Sequence, residues 1–177
     1  MNDTDKVTDA PANALCKSCG LCCSGHLFAW VKLRTPELPR AQALGLSVFG
    51  TNPKERGFNQ PCPLWNGQCT IYTSSDYPRS CRTYKCKLLK RLLDESITFP
   101  EALNVVQQVK AKIHSVESLL PASSNCNFRE RLVEHMESGN ADGEFRQKAS
   151  ALLSFYKNEF GVKDIINRSE EIGQLSE

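Results

Sequence analysis

Apolar residues recur at helical spacing through most of the second half of the chain. From Pro78 to Glu95, Tyr84, Leu88, Leu89, Leu92 and Leu93 share one stripe, which predicts a helix. Thr98-Phe99-Pro100-Glu101 reads as a capping box with Pro near the first turn. It opens a helix carrying Ala102, Val105, Val106, Val109, Ile113 and Val116, which Pro121 stops. Phe128, Leu132, Val133 and Met136 predict a further helix over 127–138, ended by Gly139-Asn140. Phe145, Ala149, Leu152, Leu153 and Tyr156 predict a last one over about 143–160, closed by Gly161. These stripes are core positions.

The first half has a different texture. Turn formers dominate residues 14–90, predicting short strands, loops and a brief helix near 35–45. Cys62-Pro63-Leu64-Trp65-Asn66-Gly67-Gln68-Cys69-Thr70-Ile71-Tyr72 reads as a β-hairpin, with Asn-Gly supplying the two positive φ angles of a type I′ turn. In that register Leu64 faces Cys69. Cys62 and Cys69 become a diagonal pair on one face, with Cα atoms about 7–8 Å apart.

Nine cysteines change the picture. Cys16, Cys19, Cys22 and Cys23 sit in Cys16-Lys17-Ser18-Cys19-Gly20-Leu21-Cys22-Cys23; Cys62, Cys69, Cys81 and Cys86 follow, and Cys126 stands apart. Cysteines separated by two residues can turn both sulfurs to one centre, the spacing of thiolate ligands for zinc or an iron–sulfur cluster. By count, eight thiols match two tetrahedral four-cysteine zinc sites. By spacing, Cys16, Cys19 and Cys22 equal the C-x2-C-x2-C run of ferredoxin-type ligation, where a Cys-Pro such as Cys62-Pro63 completes the set. Zinc and iron–sulfur both stand at this point. Disulfide staples are the competing account, less suited to a chain with enough apolar residues to fold without them. Adjacent residues in extended chain point to opposite faces, so Cys22 and Cys23 are expected to serve two centres, or one of them to lie outside the ligand set.

Arg79, Arg82, Lys85, Lys87, Lys90 and Arg91 run without an intervening acidic residue. Most read as a solvated helix face; Arg82 and Lys85, between two cysteines, are the expected exceptions that favour thiolates. His26 is a minor ligand candidate three residues after Cys23. His114 and His135 read as surface or boundary residues, and Cys126 as a partly buried thiol. No Ser/His/Asp triad, phosphate loop or dinucleotide fingerprint is present.

The fold class is therefore α+β and mostly α: a Cys-rich, metal-organised half with a short β-hairpin, packed against a bundle of about four helices. The expected organisation is a disordered leader (1–13), a Cys-rich zinc- or iron-chelating domain (14–92), a helical region packed on it (93–161) and a polar tail (162–177). At 177 residues, 40% apolar and 24% charged, the chain has length for a core of its own. The net charge of +2 is too small to imply nucleic acid by itself, and no aromatic ladder adds to it, so nucleic acid is an unlikely partner; no apolar run approaches the roughly 20 residues that insert in a membrane, and a protein partner stays open. Met1–Leu15 lacks a signal-peptide pattern, so a reducing cytoplasm is the expected location.

CKSCGLCC, then CPLWNGQCTIY, then YPRSCRTYKC resembles the YkgJ-type cysteine-cluster family, a zinc- or iron-chelating CxxCxxCC domain, over residues 14–92. The resemblance implies that Cys16, Cys19, Cys22, Cys23, Cys62, Cys69, Cys81 and Cys86 are the metal-site cysteines. The family pattern has Arg-Pro where this chain has Tyr77-Pro78. Flagellin lysine-N-methylases are similar in the cysteine block, so an iron–sulfur-dependent protein-modifying enzyme is the alternative the resemblance raises. A metal or redox sensor is another, hinted at only by the adjacent pair.

Overall fold

The computed structural model describes residues 10–50, 52–122 and 127–162. Its first helix, α1 (Pro11–Cys19), begins inside the span read as leader and carries Cys16 and Cys19. A small antiparallel sheet follows, from β1 (Trp30–Lys32), β2 (Val48–Phe49) and β3 (Gly57–Asn59) in the order β1-β3-β2. Trp30 pairs with Asn59, and Val48 with Phe58. Between β1 and β2, a 3₁₀ turn (Thr35–Glu37) leads into α2 (Leu38–Ala43), where the brief helix was expected.

The helices of the second half follow their sequence signals closely. α5 (Phe99–Glu117) starts at the capping box: the Thr98 N–H donates to the Glu101 carboxylate at 2.7 Å, and Thr98 Oγ1 accepts from the Glu101 N–H. Asn127 and Glu130 cap α6 (Phe128–Glu137) with the same reciprocal pair, and Asp142 caps α7 (Gly143–Phe155) by accepting from the Phe145 N–H. α7 continues into a π turn, Tyr156–Phe160, ended by Gly161 with φ +77°.

Two expectations are corrected. The segment 62–72 holds a single bridge, Trp65 with Cys69, rather than a hairpin with Leu64 opposite Cys69. Among the described residues only Glu95 and certain glycines, Gly67 included, have positive φ, so Asn66 does not make a type I′ turn. Three residues instead of two close the turn, and the register shifts by one. The long helix over 78–95 breaks into α3 (Arg79–Thr83) and α4 (Lys87–Leu93). Tyr84 turns extended, its ring edge-on to buried Phe28 at 5.1 Å. Cys86 becomes an N-cap whose sulfur accepts from the Leu89 N–H. A tertiary ring contact and a new cap replace helical bonds there.

One continuous core contains Leu15 and Leu21 from the first cysteine block, Phe28, Val31 and Phe58 from around the sheet, and the buried stripes of α4, α5 and α7. α1 packs on both α4 and α5, and α5 on α7. The bundle therefore includes the first cysteine-bearing helix. α6 is tied to the loop before β1 by the buried Arg129, which donates to the Leu27 carbonyl at 3.1 Å.

Candidate metal centre

Helix α1 puts Cys16 and Cys19 three residues apart, hence on one face. It ends at Gly20, whose φ of +71° is the left-handed cap that favours glycine. A Cβ at Gly20 would stand 2.0 Å from Trp65 Cζ2, so the Trp65 ring lies directly on the bare Cα. The second cysteine block is thus packed on the first. A backbone bond from the Cys62 N–H to the Cys23 carbonyl, at 2.7 Å, fastens the same two segments.

After Gly20 the chain turns through residues 21–25 and returns with His26 and Leu27 donating to the Leu21 carbonyl. Cys22 and Cys23 lie in that turn, not in extended chain, yet they face different company. Besides Cys23, the thiols close enough to raise the pKa of Cys22 are Cys86, Cys19 and Cys16. For Cys23 the leading two are Cys62 and Cys69. Cys81 in turn feels Cys23, Cys62 and Cys69 before Cys16. Apart from each other, Cys22 thus senses Cys86, Cys19 and Cys16, while Cys23 and Cys81 sense Cys62 and Cys69 more than Cys16; Cys16 senses both sides through Cys86 and Cys69. Cys62 leads the thiols that influence Cys23, and Cys86 is the first after Cys23 of those that influence Cys22.

Six of these cysteines (16, 19, 22, 23, 81 and 86) border one cavity of about 70 Å³. Tyr77, Tyr84 and Gln60 complete its polar lining. All eight thiols are free and half-buried. Burial is the largest influence on each and pushes every one up, Cys16 to about 11 and Cys19 to about 12, and neighbouring thiols add to the rise at Cys16, Cys19, Cys22, Cys23, Cys62 and Cys81. For Cys86 the rise is opposed by backbone N–H donors at the start of α4. Without a cation, such a group holds its protons.

Of the six cations singled out in sequence, Lys90 lowers a thiol, Cys86, as a minor influence. Arg82 instead donates to the carbonyls of Ser74 and Tyr77, and Lys85 is exposed. Lys17 opposes the rise at Cys69 and Lys110 that at Cys19. Lys17 was visible inside the first block; Lys110 reaches the site only because α1 packs on α5, where its ammonium donates to the Ser18 carbonyl. His26 packs on Phe128 at 4.8 Å, with Nδ1 2.5 Å from Ser24 Oγ, and does not join the thiols. His114 is exposed and His135 lies edge-on to Phe145. Cys126 falls outside the described residues.

Among the described residues, no three Cys, His, Asp or Glu side chains already stand as a group that could hold an ion. In chemistry the donor set fits a thiophilic ion: free thiols, desolvated, with no carboxylate among the influences on them. Gln60, 5% exposed, adds a side-chain oxygen that lacks a hydrogen-bond partner beside this cavity. Such an orphan is unusual in an interior and fits a place where a polar or charged group is bound.

A family model described as "Putative zinc- or iron-chelating domain", CxxCxxCC, matches residues 15–127. No curated protein and no solved structure matches the chain. No helix among the described residues is long and apolar enough to cross a membrane.

Proposed function

We propose that this chain, which belongs to the CxxCxxCC zinc- or iron-chelating domain family, binds two metal ions through two groups of four thiolates. One group is Cys16, Cys19, Cys22 and Cys86; the other is Cys23, Cys62, Cys69 and Cys81. The observation that carries this reading is that, apart from each other, Cys22 senses Cys86, Cys19 and Cys16, whereas Cys23 senses Cys62 and Cys69 most. Four sulfurs per centre is the number closed tetrahedral zinc takes, and such closure is structural. The cavity, at about 70 Å³, is well below the roughly 300–1,000 Å³ of sites for organic ligands. It suits ions.

In this reading residues 14–92 form the metal-organised unit, with 93–161 packed on it, and a reducing cytoplasm keeps the thiols available. Metal bound there supplies folding energy, because binding replaces protons the buried thiols otherwise keep. A second reading draws on one observation: Cys16, Cys19 and Cys22 fall in a single group, as a ferredoxin-type run does. An iron–sulfur cluster in that group would keep the protein-modifying enzyme and the redox sensor in play.

Anaerobically purified full-length chain, analysed for metal and scanned in the visible, separates the two readings. Zinc near two per chain in a colourless protein supports the first, and Cys22→Ser and Cys23→Ser should each remove one ion. Broad visible absorption with iron and sulfide refutes zinc. Loss of both ions from either single variant refutes the division into two groups.

A further inference from the structure

Among the described residues, buried side-chain atoms without a hydrogen-bond partner are Arg56 Nε, Gln60 Oε1 and the Tyr156 hydroxyl. Tyr156 is the extreme case, with 0% exposure. An interior hydroxyl that gives up water and bonds to nothing is unfavourable, so it calls for an explanation. Its surroundings supply one. Tyr156 opens the π turn that follows α7, and Phe160, at the other end of that turn, lines the thiol cavity together with Cys19. The Tyr156 ring lies edge-on to Phe160 at 6.3 Å. After burial itself, the group that most influences the hydroxyl is the Cys19 thiol, followed by Glu117. Glu117 has another partner, with Oε1 3.6 Å from Arg131 Nη1.

We propose that Tyr156 is a positioning residue for the metal centre: when the first thiol group is loaded, its hydroxyl donates a hydrogen bond to the sulfur of Cys19. This rests on the metal-binding reading above. A neutral Cys19 thiol is a poor acceptor, whereas a metal-bound thiolate is a good one, so the bond forms only in the loaded state. The orphaned hydroxyl is then the unliganded form of a partner to the site. It also gives the helical region a part in the centre that sequence alone did not suggest. A single wider turn of helix carries that role, and π turns recur where helices serve function.

The test compares the full chain with Tyr156→Phe, which keeps the ring and removes only the hydroxyl. Both are titrated with Co(II), read through the sulfur-to-metal charge-transfer band, and with Zn(II) in competition with a chromophoric chelator. Metal-free melting temperatures are recorded alongside. The metal-free variant is expected to melt no lower than its parent, because the hydroxyl it loses had no partner. Its Zn(II) affinity should fall about tenfold or more, the usual effect of losing an outer partner of a ligand. Its charge-transfer band should move to longer wavelength, because a thiolate without its donor gives up electrons more readily. Equal affinity with an unmoved band overturns the proposal. So does weaker binding with an unmoved band and a lower metal-free melting temperature, the pattern of a core residue alone. A parent that binds neither Co(II) nor Zn(II) overturns the underlying metal-binding reading, and this inference with it.

Discussion

Replacing Gly20 with Ala tests the joint between the first two cysteine blocks. Two effects add there. The φ of +71° costs an L-residue about 1–2 kcal/mol. The new methyl also falls 2.0 Å from Trp65 Cζ2 and 2.3 Å from Cη2. Those are ring atoms of a half-buried side chain, so the indole must leave its seat. Lost packing of a large aromatic adds about 1–3 kcal/mol, for a total of about 2–5 kcal/mol. Gly67→Ala is the control, because its φ of +72° is nearly the same and nothing lies within 4 Å of its added Cβ. That variant should lose only the conformational part. Urea unfolding of the metal-free chain, read by circular dichroism, gives both numbers. In a Trp65→Leu background the cost of Gly20→Ala should shrink toward that of Gly67→Ala, a coupling the double-mutant cycle measures. Equal losses for Gly20→Ala and Gly67→Ala would refute the packing of Trp65 on Gly20. A cost that does not change in the Trp65→Leu background would do the same.

Three further outcomes follow from the site. Cys86→Ser should keep α4, since serine is a good N-cap, and still lose metal; Cys86→Ala should lose metal and about 1 kcal/mol more, by calorimetry of the metal-free chains. Stability of the metal-free protein should decline as pH rises from about 9 toward 11–12. The folded state raises Cys16 from 9.0 to about 11 and Cys19 to about 12, so folding favours the protonated thiols, fully below pH 9 and progressively less above it. The metal-loaded protein, with its thiols already deprotonated, should lack that decline; parallel melts across pH decide it. Finally, Cys19→Ser should lose metal and destabilise the first half of the chain, whereas Cys126→Ser should retain full metal content by elemental analysis.

Most helices were legible because their signals are local. A capping box at Thr98 and Glu101, or a stripe through Val106, Val109 and Ile113, draws its energy from residues within a turn or two. The break at Tyr84 was not legible, because an edge-on contact with Phe28, over fifty positions earlier, decides it. The register of the Trp65–Cys69 turn was likewise missed, since the Trp65 ring is held by Gly20 rather than by its own strand.

The same division runs through the site. The number, spacing and kind of the eight thiols, and with them the chemistry they can offer, are properties of the chain itself. Which sulfur neighbours which is not. Cys22 and Cys23, although they influence each other, differ in their other neighbours: the turn after Gly20 leaves Cys86 first for one and Cys62 first for the other. Cys81 and Cys86 separate because the helix between them breaks. Lys110 and Tyr156 come to Cys19 from elements ninety and more positions away in sequence. Thiol chemistry is carried by each residue, whereas a shared centre depends on distances that only the packed core of α1, α4, α5 and the π turn creates.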